Sequence, residues 1–224
     1  MNIPRFMARY VEDCRTFPGD AALAYDHNGW RGVWDTLAPR TVHRLFRTNH
    51  VLIFAQSLDT AADVGPPAGV RIAPLGEADW SALSTLVTQR DETRFRALAA
   101  AGHHCVVAWR GSQPIGYGWV ARQIGPDVAV YDLPLPDYAA YLWDLYVLPS
   151  ERSNGVGSAL ASARMRTARE LGFSEGWRMI SPTNGASLRT LTKTAEGSRL
   201  IGELRYIKVL SRVQARFTAA SNSQ

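Results

Sequence analysis

Cysteine is nearly absent from this 224-residue chain. Cys14 and Cys105 are the two present, too few for a disulfide framework and without the CxxC or CxxH spacing of a zinc site. Both read as buried small hydrophobes, and no metal is expected. Long apolar runs are missing too. No stretch approaches the roughly 18 apolar residues that cross a bilayer, and the opening MNIPRFMARY lacks the uninterrupted apolar segment of a secretory signal. The expected location is therefore the cytoplasm, with no membrane partner. Lysine is scarce: of the 25 basic residues all but Lys193 and Lys208 are Arg, a bias that genome base composition explains as readily as arginine chemistry. With 46% hydrophobic and 20% charged residues, a disordered, low-complexity or collagen-like chain is excluded.

What is there is a globular composition long enough for one large domain, or for a domain of ~150 residues with an extension. The formal charge of +5 hides a segregation along the chain. Residues 152–224 hold 12 basic against 4 acidic groups, +8, while residues 1–151 carry −3. Such a field favours a polyanionic ligand, either nucleic acid or a phosphorylated cofactor.

Ile3, Phe6, Met7, Tyr10 and Cys14 recur at helical spacing and predict an amphipathic helix over residues 2–14. Turn-rich text follows at Phe17-Pro18-Gly19-Asp20 and at 26–29, and 42–57 predicts a hairpin broken near Thr48-Asn49-His50. Residues 59–69, with Gly65-Pro66-Pro67 and no apolar period, mark a linker. The expected organisation is an N-terminal helix and hairpin extension (1–58), the linker (59–69), a main domain (70–217) and a frayed tail (218–224).

In the main domain a strand is expected at 70–74 and helices at 77–87 and 91–101. A hairpin follows at 105–109 and 115–121, turning at Gly111-Ser112-Gln113-Pro114. His103-His104 reads as a solvated turn before it. A proline-rich acidic loop occupies 124–140. An aromatic strand, Tyr141-Leu142-Trp143-Asp144-Leu145-Tyr146-Val147, then leads through Pro149 into a helix at 155–171 stopped by Gly172. A strand at 177–180, a helix at 184–194 and closing strands at 200–210 and 213–217 complete the pattern.

The turn between the aromatic strand and its helix reads Arg152-Ser153-Asn154-Gly155-Val156-Gly157-Ser158. A helix N-terminus leaves about four backbone N–H groups unpaired and carries a partial positive charge. Glycines that permit close approach turn it into a pyrophosphate cradle, and Arg152 adds a fixed cation. Taken alone, an R-x-x-G-x-G match of this kind is weak evidence. In its setting the stretch resembles the acyl-coenzyme A site of the GCN5-related N-acetyltransferase (GNAT) superfamily. The resemblance spans roughly residues 70–210 and includes the 105–121 hairpin, the LYVLP entry at Leu145 to Pro149 and the Ser181-Pro182-Thr183-Asn184 strand end.

The resemblance implies a mixed α/β (α+β) fold, with a mostly antiparallel sheet, flanking helices and a splayed central strand. It places the pantetheine arm against Leu145, Tyr146 and Val147, the pyrophosphate on Arg152, Ser153, Asn154, Gly155, Val156, Gly157 and Ser158, and the thioester beside Asn184 and Ser187. Asn184 and Ser187 equally suit a helix cap, and Trp143 with Tyr146 suits a core. Two departures concern catalysis. Where the family often has a glutamate base this chain has Trp143, leaving Asp144 as the strand's carboxylate, its direction dependent on a bulge. Where the family has a tyrosine acid this chain has Leu191, so Ser187 and the distant Tyr206 stand in.

The function so implied is an acetyl-CoA-dependent N-acetyltransferase acting on the amine of a small molecule by direct transfer in a ternary complex. Three alternatives stay open at this stage. These are a longer acyl donor lined by Tyr131 and Tyr138, a non-catalytic module that binds coenzyme A or a partner protein, and nucleic-acid binding. Nucleic acid is not the expected partner, because the +8 segment coincides with the phosphate cradle. The acids Asp91, Glu92, Asp127, Asp132 and Asp137 suit a cationic acceptor. Residues 1–58 could cover the acceptor, form a homodimer or extend the sheet.

Overall fold

A computed structural model describes residues 3–37, 46–124, 133, 135–194, 197–209 and 212–220, with backbone alone at 3–16, 35–36, 46–47 and 193–194. The elements in chain order are α1 (Ile3–Leu37), β1 (Phe46–Ser57), β2 (Arg71–Pro74), α2 (Trp80–Leu83), α3 (Gln89–Ala100), β3 (His104–Arg110), β4 (Gln113–Ala121), β5 (Ala139–Val147), α4 (Val156–Glu170), β6 (Glu175–Ile180), α5 (Gly185–Thr194), β7 (Arg199–Val209) and β8 (Arg212–Ala219). The strands form one sheet in the order β2-β3-β4-β5-β6-β1-β7-β8. Among the described residues, β5 with β6 is the one parallel pairing. The mixed, mostly antiparallel sheet with flanking helices is the fold the sequence implied.

The N-terminal part departs from expectation. The predicted helix does not stop at Cys14: α1 runs on through the supposed turns, Pro18 included, and breaks at Gly29, where φ 59 and ψ −150 are non-helical. Glycine alone adopts such a backbone without strain. The expected hairpin is instead the single strand β1, which pairs antiparallel with β6 on one side and β7 on the other. Asn49 and His50, taken as turn residues, are ladder positions opposite Tyr206 and Arg205. Local turn propensity lost to a partner strand on each side, a context that a single sequence does not display.

Two cores lie on opposite faces of the sheet. On one, Trp80, Leu83, Phe95 and Leu98 of α2 and α3 pack on Cys105, Val107, Trp119 and Trp143. Fully buried Phe95 meets Tyr117 and Trp119 edge-on, each at 5.0 Å between centroids. On the other, Val156, Leu160 and Ala163 of α4 pack on Val106, Ala108, Ile115 and Val147. His103 is buried, not solvated. So is Cys105, whose thiol pKa burial pushes up, as the sequence suggested. The side chain of Cys14, and residues 125–132 of the acidic loop with Tyr131, Asp127 and Asp132, lie outside the described residues.

The α4 face also holds a buried cation. Arg164 sends its Nη1 2.9 Å to the Trp143 carbonyl, and its stem crosses Gly118, where an added Cβ would stand 2.6 Å from Arg164 Cδ. Gly118→Ala is therefore expected to cost about 1–3 kcal/mol, the range for overpacking a filled core. Urea unfolding should show the midpoint falling with the m-value unchanged.

Candidate functional site

The site begins where two strands part. Parallel pairing of β5 with β6 covers Ala139, Ala140 and Tyr141, opposite Glu175, Gly176 and Trp177, and then ends. Beyond Tyr141 the β6-facing edge of β5 has no strand partner among the described residues. This is the splayed central strand implied by the resemblance.

A bulge sits in the same strand. Trp119 pairs with Trp143 and Tyr117 with Tyr146, so Gly118 alone spans Asp144 and Leu145, and Asp144 takes a left-handed φ of 48. Tyr141 and Trp143 face α2 and α3, and strict alternation would send Asp144 to the α4 side. The extra residue reverses that parity. Leu145 and Val147 then pack toward α4, Tyr146 joins the α3 side, and the Asp144 carboxylate turns toward Arg94, with Oδ2 3.9 Å from Nη1. The Arg94 guanidinium lies 4.7 Å over the Trp143 ring. Arg164, from the opposite face, occupies the Trp143 carbonyl next to the bulge.

Asp144 keeps 30% of its side chain open, yet desolvation pushes its pKa up to about 6. Arg94 opposes the rise, Asp91 adds to it, and Arg164 and the nearby Tyr117 hydroxyl restrain it. Tyr117, itself buried, is held neutral by desolvation and by the charges of Asp144 and Asp91. Its ring stacks on Tyr146 at 5.6 Å. Tyr117 and Arg94 were not singled out in the sequence. Tyr117 reads there as one more apolar strand position, and the bulge that brings Asp144 to it has no local signature.

The second part of the site is the turn into α4. A 3₁₀ turn, Pro149–Glu151, precedes it, fixed by two hydrogen bonds from Arg110 to Glu151 at 3.0 and 2.7 Å. Arg152 donates through Nε to the Val147 carbonyl at 3.0 Å, and its guanidinium lies 5.9 Å over Tyr146. Ser153 and Gly155 have left-handed backbones, φ 66 and 85. The Ala159 N–H is bonded back to the Gly155 carbonyl at 3.0 Å, so the amides of Val156, Gly157 and Ser158 precede the first such bond of the helix. A Cβ built on Gly155 meets nothing within 4 Å, and one on Gly157 meets Val147 Cγ2 at 3.8 Å. Gly157 thus has neither a crowded site nor a left-handed φ to require glycine. The open space over the first turn fits a bound pyrophosphate.

Other sequence candidates have different surroundings. Asn184 caps α5, its Oδ1 accepting from the Ser187 N–H at 3.1 Å, so the capping role holds. Leu191 is core, packed with Ile180, Phe54 and Leu188. Tyr206 is buried on β7, with β6 and β1 between it and β5. At about 4.8 Å per strand it stands roughly 14 Å from Asp144's strand. The structure brings Asp144, Tyr146 and the Arg152 turn onto one strand and its exit, and leaves Tyr206 away from them.

The model of the Acetyltransferase (GNAT) family matches residues 73–194, more than half of the chain, and the chain belongs to that family. It is similar in fold to a Drosophila protein, with 18% identity over 80% of this chain and 58% of that one and a TM-score of 0.55. It is likewise similar to a functionally unknown conserved protein from Staphylococcus epidermidis, with 11% identity, 77% and 65% coverage and a TM-score of 0.50. A third likeness is to the GCN5-related glucosamine N-acetyltransferase region of a fungal multi-domain β-N-acetylglucosaminidase, with 10% identity, 78% and 22% coverage and a TM-score of 0.52. The chain spans less than two thirds of the length of each. A search of curated proteins finds no match. Among the described residues no helix is long and apolar enough to cross a membrane.

The raised Asp144 pKa has a consequence for stability. A carboxyl that holds its proton more tightly when folded contributes destabilisation that sets in above its unfolded pKa and is complete above its folded one. Wild-type stability is therefore expected to lose an increment as pH rises from about 4 to about 6. Asp144→Asn, which tolerates the left-handed backbone, should lack that loss and melt higher than wild type at pH 7 but not at pH 4. Thermal melts across pH 4–8 measure the difference.

Proposed function

We propose that this chain is an acyltransferase that moves an acetyl group from acetyl-CoA to the amine of a small molecule in a ternary complex, with Asp144 as general base. The observation that carries the reading is the β5 bulge. It turns a desolvated carboxylate toward the acceptor side of the strand whose opposite edge and exit turn fit coenzyme A. When bound, acetyl-CoA supplies an activated thioester.

The chain's own residues would act as follows. The free edge of β5 from Leu142 to Val147 offers backbone groups to the pantetheine arm. Val156, Gly157 and Ser158 amides, with Arg152, hold the pyrophosphate. Asp144, ionised above about pH 6, takes one proton from the incoming ammonium through the hydroxyl of Tyr117, which donates to the carboxylate as it accepts from the amine. The neutral nitrogen then forms the C–N bond while the C–S bond breaks. Nitrogen's second proton goes to the departing thiolate, which with a pKa near 8.5 leaves without a dedicated acid. That suits a chain with Leu191 in the core and Tyr206 on a distant strand. Asn184 and Ser187 remain proposed beside the thioester, through groups not used in the cap.

The reading is tested on both halves. Coenzyme A at 100 times its Kd should stabilise the wild type by about 2.7 kcal/mol, and Gly157→Trp should remove that shift while leaving the unliganded melt unchanged. Thiol release should rise with pH through about 6 as Asp144 ionises. Asp144→Asn should lower kcat/KM by about 10²-fold or more, abolish that rise and keep the coenzyme A shift. Normal rates in the variant, or no shift in the wild type, would overturn the assignment.

A further inference from the structure

Behind Tyr117 and Tyr146 lies a cavity of about 270 Å³ whose outer wall belongs to neither the sheet nor α2 and α3. It is made by α1, through Leu23, Ala24, His27 and Asn28. This placement of α1 is fixed by specific bonds. Asp20, a buried carboxylate, accepts the Gln89 N–H at 2.8 Å and so caps α3 jointly with Thr88, whose Oγ1 accepts from Asp91 N–H at 3.1 Å. Asn28 lies beside Tyr146, both lining the cavity, which puts the helix next to β5 near the bulge.

The lining has a clear chemical character. Leu86 and Val87 with the two tyrosines give an apolar and aromatic floor, and Asp91 is the formally charged side chain among the lining residues. One Asp91 oxygen is taken by the Thr88 hydroxyl at 2.7 Å, leaving the carboxylate's other oxygen for a cation. His27 is kept toward its neutral form by burial. The Tyr117 hydroxyl, at the wall, is also close enough to Asp144 to lower that carboxyl's pKa. An ammonium held in the cavity thus meets the base through that hydroxyl. The volume lies just below the usual range for small-molecule pockets and equals about nine waters at roughly 30 Å³ each.

We propose that this α1-walled cavity is the acceptor pocket, that it takes a compact primary amine with one positive charge and a small aromatic or aliphatic body, and that His27 and Asn28 of α1 set the size it accepts. The inference rests on the acyltransferase reading above and adds the substrate class. Polyamines and lysine side chains of peptides fit it poorly, because a second charge would find no second carboxylate among the lining residues and a polypeptide backbone exceeds a space of about 270 Å³. Asn28 and His27 act by walling the pocket and touch no reacting atom.

The test is a thiol-release assay with acetyl-CoA and four acceptors: ethylamine, 2-phenylethylamine, spermidine and a lysine-containing peptide. We expect kcat/KM for 2-phenylethylamine to exceed that for spermidine and for the peptide by tenfold or more. Ala24→Phe, which fills the cavity, should raise the KM for 2-phenylethylamine at least tenfold with kcat changed less. His27→Ala, which enlarges it, should improve a naphthyl-ethylamine relative to 2-phenylethylamine at least fivefold. The coenzyme A thermal shift, measured on each variant, reports that the fold and the donor site persist. Where Ala24→Phe fails to give that shift, His27→Ala decides alone. Preference for spermidine or the peptide, or an unmoved size preference in variants that still bind coenzyme A, overturns the inference and leaves the acyltransferase reading standing. A wild type that shows no coenzyme A shift and no thiol release overturns both.

Discussion

One left-handed residue, Asp144, sets the orientation of everything around the site. At φ 48 it inserts an extra position into β5, so that Trp143 and Tyr146 lie on the α3 side while Leu145 and Val147 lie on the α4 side. A non-glycine residue in this region costs about 1–3 kcal/mol and persists only where the surroundings enforce it. Here the enforcing contacts come from both faces. Gly118 opposes the bulge and leaves room for Arg164 to pass, Arg164 bonds the Trp143 carbonyl, and Arg94 lies over the Trp143 ring within 3.9 Å of the carboxylate. Without the bulge the carboxylate would face α4, and the α3 side of the strand would have Trp143 and no carboxylate.

The arginines show why charge along the chain was an incomplete guide. The +8 of residues 152–224 suits a phosphate site, and Arg152 stands at the turn into α4, bonded to the Val147 carbonyl. Yet Arg164 and Arg178 are buried. Arg178 donates to Gln56 at 3.1 Å, Arg199 pairs with Glu175 and Arg205 with Glu203. Much of the segment's charge is therefore bound up in the fold or in surface pairs. A burial-lowered pKa of about 9 for Arg164 still leaves it protonated at neutral pH, and it serves the site by supporting the bulge rather than by meeting a phosphate.

What was legible in the sequence follows from range. The β3–β4 hairpin, β5, the Arg152 turn and α4 each carry local signals, and their bounds fell within a few residues of the observed ones because period, turn residues and Gly172 agree with the tertiary fold. Asp144 was legible as a carboxylate but not as a direction, since direction depends on Gly118 across the ladder. The interior position of β1 between β6 and β7 was not legible, for its Thr48-Asn49-His50 has turn chemistry that two neighbouring strands override. The long continuation of α1 was hidden by Pro18 and Gly19, which argue for a turn at that point. The cavity wall was lost with it, because Ala24, His27 and Asn28 acquire meaning only when α1 lies against α3.

The same arrangement explains why a destabilising group is kept where it is. A carboxylate desolvated enough to reach a pKa of about 6 weakens the folded state at neutral pH, whereas the same group in water would be a poorer base by about two pKa units. The proposed role as base asks for a low-dielectric surround that still admits an amine. β4 and β5 contribute Tyr117 and Tyr146, Leu86 and Val87 add apolar surface, and α1 forms a further wall. The helix that lies outside the matched family segment is thus a wall of the cavity, and the lowered pKa of His27 and the extent of the cavity both depend on where α1 docks.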